Sequence, residues 1–199
     1  MPSVDQRIAT IRELLRHPRL VGPEGVPEGA SERELDAFEA SERLALPSAL
    51  RDWYADVNAA FCGSQVFVGL PTAPRGVLYR HSYYAHEPKF RAQNWIEIAH
   101  DGCGSHYLVD LADLQNPDAP VFFSDHADVS SATRQRRKTY CAASGIWTFT
   151  ELFLRRELFH VGVRSDLAIG WEWPFDREKT LEADHSLLSV KNIPLPWDT

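Results

Sequence analysis

Apolar residues recur at helical spacing in several stretches of the chain. Those at residues 5–17 predict an N-terminal helix that ends before Pro18, because proline cannot continue a helix. Ser31 and Glu34 form a capping-box pattern, which predicts the start of a second helix. Pro47 suits the first turn of a third. Two apolar stripes then predict the third helix and a later one: Leu50, Trp53, Tyr54 and Val57, and Ile146, Phe149, Leu152 and Phe153.

A second pattern, alternation of apolar and polar residues, runs through residues 94–111. Ile96 and Ile98 fall on one face of the first run, and Tyr107, Val109 and Leu111 fall on one face of the second. The interruption at residues 101–104, Asp-Gly-Cys-Gly, predicts a hairpin turn. Shorter runs at 65–70 and 121–123 predict two more strands. Helices first, then a meander, then a helix predict an α+β fold with a mainly antiparallel sheet and helices packed on it.

The turn between the two runs has a specific chemistry. Asp101 can cap the turn with its carboxylate, and Gly102 and Gly104 allow a positive φ, so these three residues are predicted to be structural. Residues 1–28 are predicted to hold the first helix and a Pro- and Gly-rich loop. Residues 29–158 form the predicted α+β domain, and residues 159–199 an extension packed on the same domain.

Composition narrows the class of protein. The chain has 199 residues, of which 44% are hydrophobic and 25% charged, with a net charge of −7. A negative chain is repelled by nucleic acids and by anionic membranes, so neither is expected as a partner. The three cysteines do not suggest a disulfide framework, and the first residues do not resemble a signal peptide. A cytoplasmic protein is therefore expected.

Candidate chemistry is sparse. His100, Cys103 and His106 could contribute to a zinc site, with a further ligand from Asp125, His126 or Cys141. The favoured interpretation has no metal and no cofactor, with Cys103 packing as a small apolar residue. Cys62 or Cys141 could act as a nucleophile only beside a histidine, and the sequence places none next to them. The carboxylates of the second predicted helix are interpreted as a solvated face, and the basic cluster at 134–138 as a polar loop.

Several short motifs occur in an order that is typical of one family. They are Gly29-Ala-Ser-Glu-Arg-Glu-Leu35, Leu46-Pro47, Leu50-Arg-Asp-Trp-Tyr54, Val66-Phe67, Gly69-Leu70, Trp95-Ile-Glu-Ile-Ala99, Asp101-Gly-Cys-Gly104, Tyr107-Leu-Val-Asp-Leu111 and Pro120-Val-Phe122. In this order they resemble the SUKH superfamily over residues 29–158. The resemblance implies helices on an antiparallel sheet. It also implies a role without catalysis, since bacterial members resemble immunity proteins that neutralise toxins and fungal members regulate cell-wall synthesis.

The expected function is therefore that of an immunity protein that binds and occludes a cognate toxin, possibly a nuclease with a basic surface. The alternatives are a regulatory scaffold without a toxin and, third, a zinc-dependent enzyme. Trp is enriched at binding hot spots, and carboxylates can take the place of phosphates in a basic cleft. The residues predicted to bind the partner are Asp125, Asp128, Trp171, Glu172 and Asp176.

Overall fold

The structure is a computed structural model that describes residues 2–21, 28–58, 60–62, 65–70, 90, 92–101, 104–112, 114, 118–125, 139–170, 173–190 and 193–198. Within these ranges the chain forms five α-helices and a six-stranded antiparallel sheet, so the predicted α+β fold is confirmed. The helices are α1 (Val4–Leu14), α2 (Glu32–Glu42), α3 (Ser48–Asp56), α4 (Ile146–His160) and α5 (Arg177–Ala183). The strands are β1 (Ala60–Cys62), β2 (Gln65–Phe67), β3 (Trp95–His100), β4 (His106–Asp110), β5 (Val121–Ser124) and β6 (Thr139–Ala143). Two short 3₁₀ helices, His185–Ser189 and Pro196–Asp198, follow.

The sheet is a meander in which each strand pairs with the next along the chain. The hairpin predicted at 94–111 is formed by β3 and β4, with Trp95 opposite Asp110 and His100 opposite His106. The register shifts between Glu97 and Ala99, where a β-bulge bends the strand. The strands β1 and β6 were not predicted. The first has only three residues and the second contains alanines, so neither shows a strong alternation of apolar and polar residues. The run predicted at 65–70 is a strand only as far as Phe67.

The main core lies between one face of the sheet and the helices. The residues that the sequence places on that face are buried there: Ile96, Ile98, Tyr107, Val109 and Leu111. Trp53 of α3 is fully buried in the same core, and its Nε1–H donates to Thr150 Oγ1 of α4 at 2.8 Å. This bond satisfies the polar end of a large apolar ring and fixes α3 against α4.

The opposite face of the sheet is also covered. Phe90, Leu108 and Phe122 form a second buried cluster, with Trp95 and Ile193 packed against it. The ring centroids of Trp95 and Phe122 are 4.7 Å apart. Simple alternation accounts for only one buried face, so this second cluster was not predicted.

Local sequence signals set where the helices start. Ser31 and Glu34 make the predicted capping box on α2, since Ser31 Oγ accepts from Glu34 N and Glu34 Oε2 accepts from Ser31 N. An equivalent box on α1 joins Ser3 and Gln6. Pro47 is the N-cap of α3, one residue before the position predicted for it. The first helix ends at Leu14, earlier than the predicted residue 17.

The first helix is tied to α4 by a buried ion pair. Arg7 Nη1 lies 2.5 Å from Glu151 Oε2, and Arg155 Nη2 lies 2.8 Å from Glu151 Oε1. Both Arg7 and Glu151 are almost fully buried, so removing Glu151 would leave the charge of Arg7 without its carboxylate partner. Contacts therefore cross the boundary that the sequence analysis placed at residue 28.

The C-terminal segment is bound to the same body. Asp184, which is only 2% exposed, accepts hydrogen bonds from Ser144 N at 2.7 Å and Ser144 Oγ at 2.6 Å. Further along, Cys141 N of β6 donates to Pro194 O at 2.8 Å, so the tail covers backbone groups of an edge strand. The boundary predicted at residue 159 is therefore also crossed by direct contacts.

Candidate partner-binding surface

The five residues predicted to bind a partner are only partly within the structure. Asp128, Trp171 and Glu172 lie outside the described residues. Asp125 directly follows β5 and is half-buried. Asp176 is the N-cap of α5, and its Oδ1 accepts a hydrogen bond from Lys179 N at 3.0 Å. Asp176 thus has a structural role that the sequence analysis did not assign to it.

An exposed aromatic ring lies beside Asp176. Phe175 is 57% exposed, and among the described residues it is the one aromatic side chain in the set of exposed large hydrophobics. Its ring meets the edge of Tyr140 on β6, with centroids 5.6 Å apart. Tyr140 in turn stacks on Phe123 of β5 at 5.0 Å. Phe175 therefore presents apolar aromatic surface to solvent while Tyr140 contacts its ring.

These contacts join the extension to the end of the β5–β6 pair. Ser124 of β5 pairs with Thr139 of β6, so Asp125, which follows β5, lies at the same end of this strand pair as Tyr140. Burial raises the pKa of Tyr140. We define the Phe175 patch as Phe123, Asp125, Tyr140, Phe175 and Asp176. Two of its members, Asp125 and Asp176, are residues that the sequence analysis predicts to bind a partner.

The cation Arg156 contacts aromatic residues that adjoin the Phe175 patch. Arg156 of α4 places both Nη atoms 3.4 Å from Tyr107 Oη, and its guanidinium lies 5.3 Å from the ring centres of Phe153 and Trp173. Burial by itself lowers the pKa of Arg156, but Tyr107 and the Glu157 carboxylate outweigh burial and raise it. Arg156 is therefore a permanent charge within an aromatic layer, and it holds Trp173 two residues before Phe175.

The sequence analysis missed Phe175 and Arg156. The exposure of Phe175 had no local signal, because an apolar residue just before a helix often packs against that helix. No local signal could reveal Arg156, since its partners Tyr107 and Trp173 are distant in sequence.

The turn residues join β3 to β4 at the end of the hairpin where His100 pairs with His106. Asp101 Oδ1 accepts from Ser105 N at 3.0 Å, and Asp101 N donates to Ser105 O at 3.2 Å. Gly104 has a φ of 99°, in the region that favours glycine. Gly102 lies outside the described residues.

The histidines of this hairpin face the second cluster. His106 Nδ1 lies 2.7 Å from Glu97 Oε1, and the rings of His106 and Phe90 are 5.0 Å apart. Burial lowers the pKa of His100, and the neighbouring His106 adds to this effect, so His100 is neutral at pH 7. Within the described ranges, which omit Cys103 and His126, no group of three or more His, Cys, Asp or Glu side chains could hold a metal ion.

Cys141 is unsuited to nucleophilic chemistry. It is fully buried on β6, and burial, followed by the charge of Asp184, raises the pKa of its thiol to about 12. The reactive form of cysteine is the thiolate, so Cys141 is unreactive at neutral pH. The side chain of Cys62 lies outside those described.

The carboxylates of α2 are not simply a solvated face. Arg51 of α3 binds Glu39, Glu32 at 2.5 Å and Asp36 at 3.0 Å. Glu32 and Asp36 remain largely exposed, whereas Glu39 is mostly buried and its Oε1 accepts from Leu46 N at 2.6 Å. The acidic residues of α2 therefore also bind α2 to α3, because Arg51 of α3 lies among them.

The comparison with protein families tests whether the chain is related to the family that its motifs resemble. The family model of the SMI1 / KNR4 family (SUKH-1) matches residues 29–144, more than half of the chain. The chain belongs to the SUKH family. No curated protein matches it.

Members of the SUKH family are generally non-catalytic, and the family is associated with protein–protein interaction. The match begins at Gly29, where the resemblance was seen to begin, and it ends at Ser144, before α4. Part of the Phe175 patch, Phe175 and Asp176, therefore lies in the extension beyond the matched region. None of the helices in the described ranges is both long and apolar enough to cross a bilayer.

Proposed function

We propose that this SUKH protein is a non-catalytic immunity protein that binds a cognate toxin in the cytoplasm and occludes it. The observation that carries the proposal is the Phe175 patch, in which an exposed aromatic ring stands next to Asp176 and contacts Tyr140, in a member of a family associated with protein–protein interaction. Such a combination suits a partner with an apolar pocket inside a basic surface.

Occlusion requires a surface of about 800 Å² on each partner. Phe175 would supply the apolar anchor, and Asp125 and Asp176 would face basic side chains around it. If the toxin is a nuclease, its cleft is built to receive phosphates, and carboxylates form similar charge-assisted hydrogen bonds with Arg and Lys. The net charge of −7 would accelerate the encounter with such a basic cleft.

The patch lies partly outside the matched family region, which supports a role in partner choice. The sheet and helices of residues 29–144 supply a scaffold, and the extension supplies the exposed ring. Residues that select a partner are commonly found on segments that a rigid scaffold positions. Tyr140 of the scaffold holds Phe175 of the extension by direct ring contact.

The test is co-expression with the product of the neighbouring gene, followed by a growth assay and by calorimetry on the purified proteins. We expect protection of growth and a stable complex. Phe175→Ala should weaken the complex by about 2 kcal/mol, or roughly 30-fold in Kd, because it removes an anchor that the free protein exposes. Its fold should be unaffected, since most of the ring is already in solvent.

Leu188→Ala is the matched control, because Leu188 is 50% exposed in the same extension and outside the Phe175 patch. It should change neither growth nor affinity. Equal affinities for both variants would mean that the partner binds elsewhere. Binding without protection would favour the alternative, a regulatory scaffold that has no toxin partner, and the absence of both would refute the proposal.

A further inference from the structure

A cavity of about 640 Å³ lies where the end of α4, the segment after it and α5 meet. We call it the C-terminal cavity. Its described lining residues are Phe159, Arg164, Ser165, Ala168, Ile169, Gly170, Trp173, Lys179 and Ala183. All lie beyond the region that matches the family. Its volume is in the range of small-molecule sites, which is about 300–1,000 Å³.

Most of the cavity wall is apolar. Phe159, Ile169 and Trp173 provide the large surfaces, and Ala168 and Ala183 leave room between them. Trp173 is only 4% exposed and belongs to the main core, so this wall is rigid. A rigid apolar wall favours an apolar ligand body, because water is released from both surfaces on binding.

The charged residues among the described part of the lining are both positive. Arg164 is fixed at the rim, since its guanidinium carbon lies 3.8 Å from the centre of the Phe159 ring and its Nη1 donates to Phe159 O at 2.7 Å. Lys179 supplies a second cation. Among the described lining residues there is no carboxylate, although the chain as a whole is acidic. The site therefore favours a negative group.

A buried donor adds a second requirement. The Nε1–H of Trp173 is buried and, among the described residues, finds no hydrogen-bond acceptor. A buried donor without a partner is costly, and a ligand oxygen that accepted from it would remove that cost. Trp173 therefore contributes apolar surface to the wall and also carries an N–H donor for which the described residues supply no acceptor.

We propose that the C-terminal cavity binds a carboxylate carried on an apolar body. The apolar part would lie against Phe159, Ile169 and Trp173, and the carboxylate would face Arg164 and Lys179. Such a carboxylate has two sources, a free organic acid or the C-terminal residue of a polypeptide. This inference is independent of the proposed immunity role, because it rests on the cavity alone.

Titration calorimetry and heteronuclear NMR on the full chain test the proposal. The probes are octanoate, octanol as its uncharged counterpart, and a short peptide ending in leucine with either a free or an amidated C-terminus. We expect saturable binding of at least one of the two acids below about 10 mM, and binding at least about tenfold weaker for its uncharged counterpart. The indole N–H resonance of Trp173 should shift on binding. Preference for octanoate identifies a free acid, and preference for the peptide identifies a polypeptide end.

Variants separate charge from shape. Arg164→Gln combined with Lys179→Gln should weaken binding of the acid at least about tenfold. Ala168→Trp should abolish binding of every probe by filling the cavity. Arg177→Gln is the matched control, since Arg177 belongs to the same helix as Lys179 but is not part of the lining, and it should bind normally. Thermal unfolding of each variant checks that the fold is retained.

The proposal fails if neither acid binds, or if acids and uncharged counterparts bind equally well. It also fails if the double variant, folded as judged by its unfolding curve, binds octanoate and the peptide acid like the parent protein.

Discussion

The attachment of the C-terminal segment can be tested at one side chain, Asp184. Its carboxylate accepts from both Ser144 N and Ser144 Oγ at the turn between β6 and α4. Asp184 is 2% exposed, so water cannot easily replace it. We expect Asp184→Ala to destabilise the protein and to loosen the segment that carries Phe175.

The magnitude follows from the two bonds. A hydrogen bond to a charged group contributes about 1.5–3 kcal/mol, and both bonds are short. Ser144 is only half-buried, so water will partly satisfy its donors after the substitution. We therefore expect a loss of about 3 kcal/mol for Asp184→Ala, near the lower limit of the sum. In a chain of this size that corresponds to a fall in Tm of about 6–12 °C.

Urea unfolding followed by circular dichroism and by tryptophan fluorescence measures this loss. Ser144→Ala removes only the hydroxyl, so it should cost about 1.5 kcal/mol. The double variant should lose about 1–1.5 kcal/mol less than the sum of the two single losses, because both substitutions remove the same hydrogen bond. Asp166→Ala is the control, since Asp166 is an exposed carboxylate in the same segment and its loss should cost less than about 0.5 kcal/mol.

The reasoning is wrong if Asp184→Ala is as stable as Asp166→Ala. It is also wrong if the effects of Asp184→Ala and Ser144→Ala are simply additive, since the two side chains would then not interact.

Three further substitutions probe the scaffold. Gly29→Ala places a Cβ 1.5 Å from Ala55 O, so we expect a loss of about 3 kcal/mol or more in urea unfolding. Gly162→Ala, at a φ of 83° but with its nearest atom, Arg19 Nη1, at an ordinary contact distance of 3.8 Å, should cost only about 1 kcal/mol. Similar losses for the two variants would contradict this. Because the pKa of His100 is lowered in the folded chain, the free energy of unfolding decreases as the pH falls below about 6.5. In that range the unfolded chain binds a proton at His100 that the folded chain does not. His100→Gln should reduce the slope of unfolding free energy against pH between about 7.5 and 5.5, and an unchanged slope would exclude His100 as its source.

Much of the fold could be predicted from local patterns. The capping box at Ser31, the apolar stripe through Trp53 and the alternation around Ile96 and Ile98 each specify one element and its buried face. These signals are strong because the residues concerned interact with neighbours within four positions, or with one adjacent strand. The strand β6 was missed because its burial depends on β5 and on the tail, which local alternation does not record.

The candidate surface was only partly predictable. Acidic residues and tryptophans drew attention to the extension, where Asp176 stands next to Phe175, whose ring contacts Tyr140. Sequence could not show that Asp176 caps a helix, nor that Phe175 stays exposed while Trp173 is buried. Burial of a side chain depends on what the rest of the chain places around it.

By itself, the sequence determined the family, the α+β class and the central hairpin, because periodicity and short motifs are properties of neighbouring residues. Only the tertiary structure decided which charged side chains find partners and where a cavity is left between the elements. The bond between Asp184 and Ser144 spans 40 positions, and that between Arg7 and Glu151 spans 144. The C-terminal cavity likewise has described lining residues from α4, from α5 and from the segment between them. Such contacts have no local pattern, since they arise from packing of elements that are distant along the chain.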